Sequence, residues 1–513
     1  MNPYLNVILW FTGILLLFIV LIIRENRKRK KVLLRKLKRI YGQVPEQEYE
    51  ASDLERISHY FRRKAQGQKF VIDDITWNDL DMDRMYMLIN QTISSPGEDV
   101  LYAMLRIPLF DREKIRERDQ LAEFFATHEE ERLKMQWILS EVGKTRLGSL
   151  SDTILALDGA PKVNPALHWG MLALLLGTLL ILLPLSPLHG FLVFFLLSIV
   201  NISIYFAGRD RKLIEIYLDC LTSLLRMLSA ADHMETVKWP QVQKQMDAIS
   251  KGKKAFAGLR RLSVFLTSKN ADSGDPLQIL MEYIRMVFHV DILTYNRVLR
   301  EVHGKSDRIM EMLENMGELD AAISIASFRE ILPLKCKPEF QDYDGTPVSV
   351  EVEDLYHPLI QEPVANCMNA KGGTLVTGSN ASGKSTFLKN MALNSLLAQT
   401  MGICTCSSYR APFLKVMTSM ALRDDLSGGE SYFIVEIKSL KRILDESQKE
   451  EPLLCIVDEV LRGTNTIERI AASSRILKEL DRPWVLAFAA THDIELSYIL
   501  EGVYHNYHFE EEV

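Results

Sequence analysis

The chain has 513 residues, which is enough for several domains of ordinary size. Its apolar content of 47% and charged content of 25% are those of a globular protein. The net charge of −6 excludes a globally basic nucleic-acid binder, so any basic face has to be local. The six cysteines lie far apart, except Cys404 and Cys406, and give neither a disulfide framework nor a zinc-ligand spacing. We interpret them as reduced thiols of a cytosolic domain.

The first predicted element is a transmembrane anchor at residues 1–23. Val7 to Ile23 carries no charged side chain, and with the flank from Tyr4 it reaches about 20 residues, enough to span a bilayer. A cleaved signal peptide would have positive charge before the apolar run and small residues after it. Here the first charged residue is Arg24, so we expect the anchor to remain uncleaved.

A basic juxtamembrane segment follows at residues 24–50. Residues 24–39 carry ten Lys or Arg side chains and one acid. The positive-inside rule places such a segment in the cytoplasm, and its charge would also attract anionic lipid. A purely topogenic role is the alternative.

A second apolar block at residues 163–208 predicts a transmembrane hairpin. It contains no Asp, Glu, Lys or Arg and is long enough for two spans of about 20 residues, with the turn at 184–190. The alternative is a buried hairpin in a soluble core. Lys162 precedes the block, and Arg209, Arg211 and Lys212 follow it, so the positive-inside rule places both flanks in the cytoplasm. Together with the N-terminal anchor, this predicts three spans in total, with 24–162 and 209–513 in the cytoplasm. The expected location is the inner or plasma membrane.

The stretch GSNASGKS, Gly378 to Ser385, fits the pattern of a phosphate-binding loop. Leu375 to Thr377 predicts the strand before it, and 387–400 predicts the helix after it. Glycines at both ends let the backbone N–H groups turn toward phosphates at the helix N-terminus. Lys384 would reach the β- and γ-phosphates of a nucleotide, and Ser385 would bind Mg²⁺.

Acidic and histidine side chains follow two later apolar strands. The run LLCIV ends at Asp458, which can hold a magnesium shell, and at Glu459, which can polarise the attacking water. A second buried strand at 484–493 ends in His492, where a side chain could sense the γ-phosphate; a structural histidine is the alternative. The loop and helix at 424–440 suit a second phosphate contact, or an ordinary capped loop.

These motifs together resemble the ATPase domain of the MutS family of mismatch-repair proteins. TGSNASGKST resembles its phosphate loop, DDLSGGESYFIVE its loop to the opposite subunit, VDEVLRGTNT its magnesium-and-base segment and ATHDIEL its histidine switch. YHPLI at 356–360 resembles the stretch beside the adenine. The resemblance implies Ser431 as the contact to the other subunit's nucleotide. It implies these nucleotide-binding residues: Gly378, Ser379, Asn380, Ala381, Ser382, Gly383, Lys384, Ser385 and Thr386.

The resemblance implies a fold and an assembly. We expect an α/β P-loop, ABC-like ATPase domain at 333–513 after an all-α core and lever at 51–162 and 209–332, with the transmembrane hairpin inserted between them. It implies ATP and Mg²⁺ as cofactors, a homodimer, and Glu459, His492 and Lys384 as catalytic residues. Residues 1–69 are too few for the family's mismatch-reading domain, and 209–332 leave room only for a short or altered DNA clamp.

Two functions remain open from the sequence. Residues 238–261 carry seven Lys or Arg side chains and one acid, which could neutralise DNA phosphates or equally form a solvated or lipid-facing patch. The first hypothesis is a membrane-anchored, dimeric, MutS-like ATPase that couples hydrolysis to DNA binding. The alternative is the same ATP-driven switch acting on membrane or protein partners without DNA.

Overall fold

The computed structural model describes residues 20, 24–25, 27–145, 148–207, 209–259, 283–379, 382–420, 432–461 and 465–510. The predicted N-terminal span, apart from Val20, lies outside these ranges. So do Asn380 and Ala381 of the loop, Ser431, and Arg260 and Arg261 of the basic cluster.

Helices precede a region of mixed strands and helices. The helices are α1 (27–40), α2 (Ala51–Lys64), α3 (Asp74–Asp79), α4 (Met82–Ile89), α5 (Ser95–Arg106), α6 (Arg112–Thr127), α7 (Glu129–Val142), α8 (Leu150–Ala156), α9 (Ala166–Leu185), α10 (Pro187–Ala207), α11 (Arg209–Met234), α12 (Gln243–Lys254), α13 (Val290–Val302), α14 (Ser306–Ile331), α15 (Lys384–Met401), α16 (Tyr432–Ser447), α17 (Thr466–Glu479) and α18 (Glu495–Ile499). The strands are β1 (Glu339–Gln341), β2 (Ser349–Leu355), β3 (Asn366–Lys371), β4 (Gly373–Gly378), β5 (Ser408–Pro412), β6 (Lys415–Ser419), β7 (Leu453–Asp458), β8 (Val485–Ala490) and β9 (Tyr504–Phe509).

The chain divides into two compact units, each assembled from several segments. The helical unit comprises residues up to Tyr41, Thr92–Val100 and Thr127–Ala321, and the sheet unit comprises Gly42–Gln91, Leu101–Ala126 and the chain from Ala322 onward. Three helices, α5, α6 and α14, contribute residues to both. The sequence-based boundaries at 51, 209 and 333 remain predictions.

One face of α14 is apolar and buried. Ile309, Met312, Leu313, Met316 and Leu319 are each fully buried. Their spacing places them on one helix face. Between α13 and α14 the chain turns at Gly304, which has a φ of +69°.

Two helices of the helical unit, α9 and α10, are long and apolar enough to cross a membrane. Their mean hydropathies are 2.1 and 2.2, and they are the two such helices found among the described residues. The predicted turn at 184–190 is reduced to Ser186, whose backbone is extended with φ −146° and ψ 91°. Pro187 then begins α10, a position where its missing N–H costs no helix hydrogen bond.

A buried polar network lies at one end of this hairpin. His168 Nδ1 is 2.8 Å from His289 Nδ1, and His289 Nε2 is 2.9 Å from the Asn201 carbonyl oxygen. The Tyr205 hydroxyl donates to the Asp291 carboxylate at 2.8 Å. All five residues are buried, so each hydrogen bond offsets the loss of water around a polar group. The network therefore ties the hairpin to the chain around α13, a contact that the sequence did not predict.

Replacing Gly97 with alanine should destabilise the helical unit. A Cβ at this position would lie 2.2 Å from Asp320 Oδ2 and 2.8 Å from Asp320 Cβ. Asp320 cannot swing away freely, because the Ser94 N–H and hydroxyl donate to it at 2.9 and 2.5 Å. We expect a loss of about 1–3 kcal/mol in the free energy of unfolding, measured by urea denaturation of the detergent-solubilised chain.

The matched control for this variant is Gly159→Ala, because a Cβ there meets no atom within 4 Å. The control should unfold at nearly the wild-type urea concentration. An equal loss in both variants would show that the contact between Gly97 and Asp320 is not the cause.

Two sheets form the framework of the sheet unit. One has four strands in the order β1-β5-β2-β3, with β1 parallel to β5 and the other pairs antiparallel. The other has five parallel strands in the order β6-β7-β8-β4-β9. Strands β7 and β8 are buried along their whole length, as expected for a parallel sheet covered by helices. The predicted α/β fold with a parallel sheet is thus observed.

Helix α3 and the residue before it are hydrogen-bonded to the edge of the parallel sheet. The Asp79 carboxylate of α3 accepts hydrogen bonds from the Thr418 hydroxyl at 2.6 Å and the Met420 N–H at 3.0 Å. The Thr418 N–H donates to the Thr76 hydroxyl at 3.2 Å, and Arg442 of α16 is paired with Asp73. These bonds satisfy the edge strand β6, which otherwise presents unpaired backbone groups. Residues 73–79 are therefore part of the sheet unit rather than of a separate helical core.

Candidate functional site

The glycine-bounded loop connects the inner strand β4 with α15, as the sequence predicted. Gly378 has a φ of +143°, and a Cβ there would lie 2.4 Å from the Phe509 carbonyl oxygen of neighbouring β9. Gly383, the residue before α15, has a φ of +84°. Both conformations favour glycine, so the loop can bring its backbone close to a bound group. The first N–H groups of α15 have no acceptors within the helix and open toward the loop.

Lys384 places its ammonium group on the loop itself. Nζ donates to the Gly378 carbonyl oxygen at 2.8 Å and also to the Ser379 carbonyl oxygen. Burial lowers the pKa of Lys384, while the charges of Asp458 and Glu459 act in the opposite direction. The ammonium group is therefore held at the loop, within electrostatic range of both acids.

The register of the parallel sheet brings three strand ends to one edge. Ala490 of β8 pairs with Val376 of β4 on one side and with Asp458 of β7 on the other. The Glu459 N–H continues this ladder by donating to the Ala490 carbonyl oxygen at 3.0 Å. Because all strands run in the same direction, the loop after Gly378, the acids and His492 share the carboxyl edge of the sheet.

Glu459 and His492 form a direct pair. His492 Nε2 is 2.8 Å from Glu459 Oε1, and the side chains are 36% and 22% exposed. Glu459 adopts a left-handed backbone with a φ of +54°, which is uncommon for a residue with a side chain and costs about 1–3 kcal/mol. Such strain is typical of functional sites. The sequence predicted separate roles for the two residues but did not predict their contact.

Further residues hold this pair in place. Glu436 of α16 is buried and accepts a hydrogen bond from the Leu461 N–H at 2.5 Å, two residues beyond Glu459. Arg469 of α17 donates two hydrogen bonds to the carboxylate of Asp493, the residue after His492, from Nε at 2.8 Å and from Nη2 at 2.6 Å. Sequence reasoning missed all three side chains. The signals were that Glu436 ends the segment DDLSGGESYFIVE and that Asp493 follows His492 in ATHDIEL.

The segment 356–360, which is predicted to lie beside the adenine, is hydrogen-bonded to the chain that follows α15. The Tyr356 N–H donates to the Thr405 carbonyl oxygen at 3.1 Å, and the Thr405 hydroxyl donates to the Tyr356 carbonyl oxygen at 2.7 Å. Burial, reinforced by the charge of Lys389, lowers the pKa of the next residue, His357, to about 4. His357 is therefore neutral at physiological pH.

The described residues suit a nucleotide with Mg²⁺. The Lys384 ammonium and the N–H groups at the N-terminus of α15 can donate hydrogen bonds to phosphate oxygens. The half-buried Ser385 and the buried Asp458 supply hydroxyl and carboxylate oxygens, which Mg²⁺ prefers. Ser379, Ser382, Gly383 and Thr386 belong to the loop and the first turn of α15; Ser382 closes the loop by donating its hydroxyl to the Ser379 carbonyl oxygen at 2.9 Å. Asn380, Ala381 and Ser431 lie outside the described residues, so their roles stay predictions.

The basic cluster at 238–261 is partly neutralised within the helical unit. Lys253 Nζ lies 2.6 Å from the carboxylates of both Asp232 and Glu235. The side chains of Lys251 and Lys254 on either side are exposed. The central lysine of the segment KGKKAF is thus already held by two acids, which lowers the positive charge available to an anionic partner.

Comparison with known proteins agrees with the motifs. Residues 374–512 match the family described as MutS domain V. The chain is 31% identical over 211 residues to the DNA mismatch repair protein MutS of Thermotoga maritima, covering 40% of this chain and 26% of that protein. It is 31% identical over 242 residues to MutS of Natronomonas pharaonis, covering 44% and 27%. The match therefore spans about a quarter of the length of these relatives. The C-terminal region of the chain is therefore similar to MutS proteins, and residues 374–512 match domain V of that family.

Proposed function

We propose that the chain is a membrane-anchored ATPase that hydrolyses ATP as a homodimer and couples hydrolysis to DNA binding. The observation that carries the proposal is the meeting of Lys384, Asp458, Glu459 and His492 at one edge of a parallel sheet. The relatives named above are DNA mismatch repair proteins, which supports DNA as the partner. Mismatch reading itself is not included in the proposal.

The roles of the residues follow from their positions. Lys384 and the N–H groups of the loop would bind the phosphates, and Ser385 and Asp458 would hold Mg²⁺, which would supply positive charge to the phosphate oxygens. Glu459 orients the attacking water. His492 contacts the Glu459 carboxylate, so a change at the γ-phosphate that moves His492 also moves the group that holds the water. Ser431 of the partner subunit completes the site.

The proposed membrane anchor includes the α9–α10 hairpin. Only 17% and 22% of the apolar windows of these helices are buried, so most of their side chains face outward. Exposing that much apolar surface to water is unfavourable, whereas lipid accommodates it. The positive-inside rule puts the basic segment 24–39, which follows the N-terminal span, in the cytoplasm, and the three proposed spans then put the sheet unit there as well.

A second candidate is an ATP-driven switch that acts on lipid or protein partners without binding DNA. The pairing of Lys253 with Asp232 and Glu235 favours it, because two acids already hold the central lysine of the segment KGKKAF. DNA binding needs several uncompensated cations to release counterions.

The experiment that separates the two is an ATPase assay on the detergent-solubilised chain with homoduplex, mismatched and branched DNA over a salt series. Stimulation that falls steeply with salt supports DNA binding. The ratio between mismatched and homoduplex DNA then tests mismatch reading. A rate that responds to anionic lipid but to none of the DNAs supports the second candidate, and no ATP hydrolysis under any condition overturns both.

A further inference from the structure

Three cysteines that are distant in sequence converge in the sheet unit. The sulfur atoms of Cys336, Cys404 and Cys406 all lie within 4.8 Å of one another, and Cys336 Sγ is 3.5 Å from Cys406 Sγ. Cys404 and Cys406 are fully buried, and Cys336 is half-buried. From the sequence these residues were interpreted as isolated reduced thiols, because Cys336 is far from the other two along the chain.

The backbone explains the convergence. Cys336 and Cys404 form an isolated antiparallel bridge, with N–H to carbonyl distances of 3.1 and 3.0 Å in the two directions. Cys406 follows Cys404 after one residue, and its sulfur lies within 4.8 Å of the other two. The chain after α14 therefore places the Cys336 sulfur beside the sulfurs of Cys404 and Cys406, which follow α15.

We propose that Cys336, Cys404 and Cys406 bind a soft thiophilic cation, Zn²⁺ or Cu⁺. Three thiolates bound at about 2.3 Å to one tetrahedral Zn²⁺ lie about 3.8 Å from one another, close to the spacing found here. Thiolates select these two ions over Mg²⁺ or Ca²⁺. Cu⁺ is satisfied by the three sulfurs, whereas Zn²⁺ takes a fourth ligand from outside on the half-buried Cys336 side.

A disulfide is the competing use of the same sulfurs. Closing one between Cys336 and Cys406 would require the sulfurs to approach from 3.5 Å to about 2 Å and would leave Cys404 unused. On the proposed cytoplasmic side, reducing conditions also disfavour a structural disulfide. A cation uses all three sulfurs with little movement.

The bound cation would link the nucleotide site to the end of α14. Thr405, between the two paired cysteines, exchanges hydrogen bonds with the backbone of Tyr356, and the Tyr356 hydroxyl donates to the Leu334 carbonyl oxygen at 2.7 Å. The cation would fasten two of these three segments, the one that contains Cys336 and the one that contains Cys404 and Cys406, through their sulfur atoms. Its removal should lower the melting temperature of the chain and loosen the segment beginning at Tyr356.

The test is the metal content of the full-length chain, purified in detergent with reductant and without metal-affinity resin. Elemental analysis should find about one Zn or Cu per chain. Cys336→Ser should reduce the metal content at least about tenfold. Even the loss of a residue that only orients a ligand weakens metal affinity by about that factor, and this variant loses a ligand itself. Cys367→Ser, which alters an exposed free cysteine of the same unit, should retain the metal. Lys384→Ala should also retain it, so the result does not depend on the ATPase assignment.

A second measurement uses the wild-type chain and so does not rely on the variant folding. After chelation, adding Co²⁺ anaerobically should produce a thiolate-to-cobalt charge-transfer band, and adding Zn²⁺ or Cu⁺ should abolish it. Zn²⁺ and Cu⁺ are distinguished by elemental analysis of the untreated chain. Three free thiols with neither metal nor a cobalt band, or a disulfide between Cys336 and Cys406, would overturn the proposal.

Discussion

Replacing Lys384 with alanine should lower ATP hydrolysis by about 100- to 1,000-fold or more, because one preorganised charged donor to the phosphates would be lost. The structure places its Nζ 2.8 Å from the Gly378 carbonyl oxygen, at the loop where phosphates would lie. Burial lowers the pKa of this amine, while the charges of Asp458 and Glu459 act in the opposite direction. Phosphate release by the detergent-solubilised variant, together with a nucleotide-binding assay, measures the effect.

The matched control is Lys478→Ala, which removes an exposed lysine from α17 of the same unit. Both variants should insert into membranes to the wild-type extent, because neither residue belongs to the apolar helices. Full ATPase activity in Lys384→Ala would remove the nucleotide-site assignment. Equal losses in both variants would point to damaged folding instead.

Replacing Glu459 with glutamine should separate ATP binding from hydrolysis. The amide keeps the size of the side chain and its reach to His492, 2.8 Å away in the wild type, but it cannot accept a proton. Removing a general base lowers rates by about 100- to 10,000-fold. We expect ATP binding to persist, turnover to fall by that factor, and the ATP-bound dimer to accumulate, as measured by single-turnover hydrolysis and light scattering.

Glu501→Gln is the control for this variant, since Glu501 is an exposed residue in the turn before β9. It should hydrolyse ATP at the wild-type rate. Unchanged turnover in Glu459→Gln would reassign the water-positioning role, and loss of ATP binding would show that the carboxylate supports the phosphate loop instead. Mixing Glu459→Gln with Ser431→Ala chains then tests whether the partner subunit completes the site.

The parts of the site that could be predicted are those encoded in contiguous residues. The loop from Gly378 to Ser385 needs glycines, a lysine and a serine at fixed spacing because one turn of backbone performs the binding. The strand before it was predicted at 375–377 and is β4, and the helix predicted at 387–400 is α15. The run before Asp458 was long and apolar enough to indicate a buried parallel strand, and β7 is one.

The parts that were missed depend on which distant segments become neighbours. The contact between Glu459 and His492 exists because β7 and β8 are adjacent and in register, which no local pattern encodes. The assignment of residues 73–79 to the sheet unit rests on single hydrogen bonds such as that between Asp79 and Thr418. Polar residues of this kind are common in any helix, so their partners cannot be read from spacing.

The sequence by itself determined the glycine-bounded loop, the acid pair, the apolar hairpin and the resemblance to the MutS family, because each depends on runs of neighbouring residues whose chemistry depends on covalent adjacency. Only the tertiary structure decided that Glu459 contacts His492, that His168 meets His289 beneath the hairpin, and that Cys336 joins Cys404 and Cys406. These contacts depend on strand order and helix packing. They are fixed by the free energy of the whole fold rather than by any short segment of it.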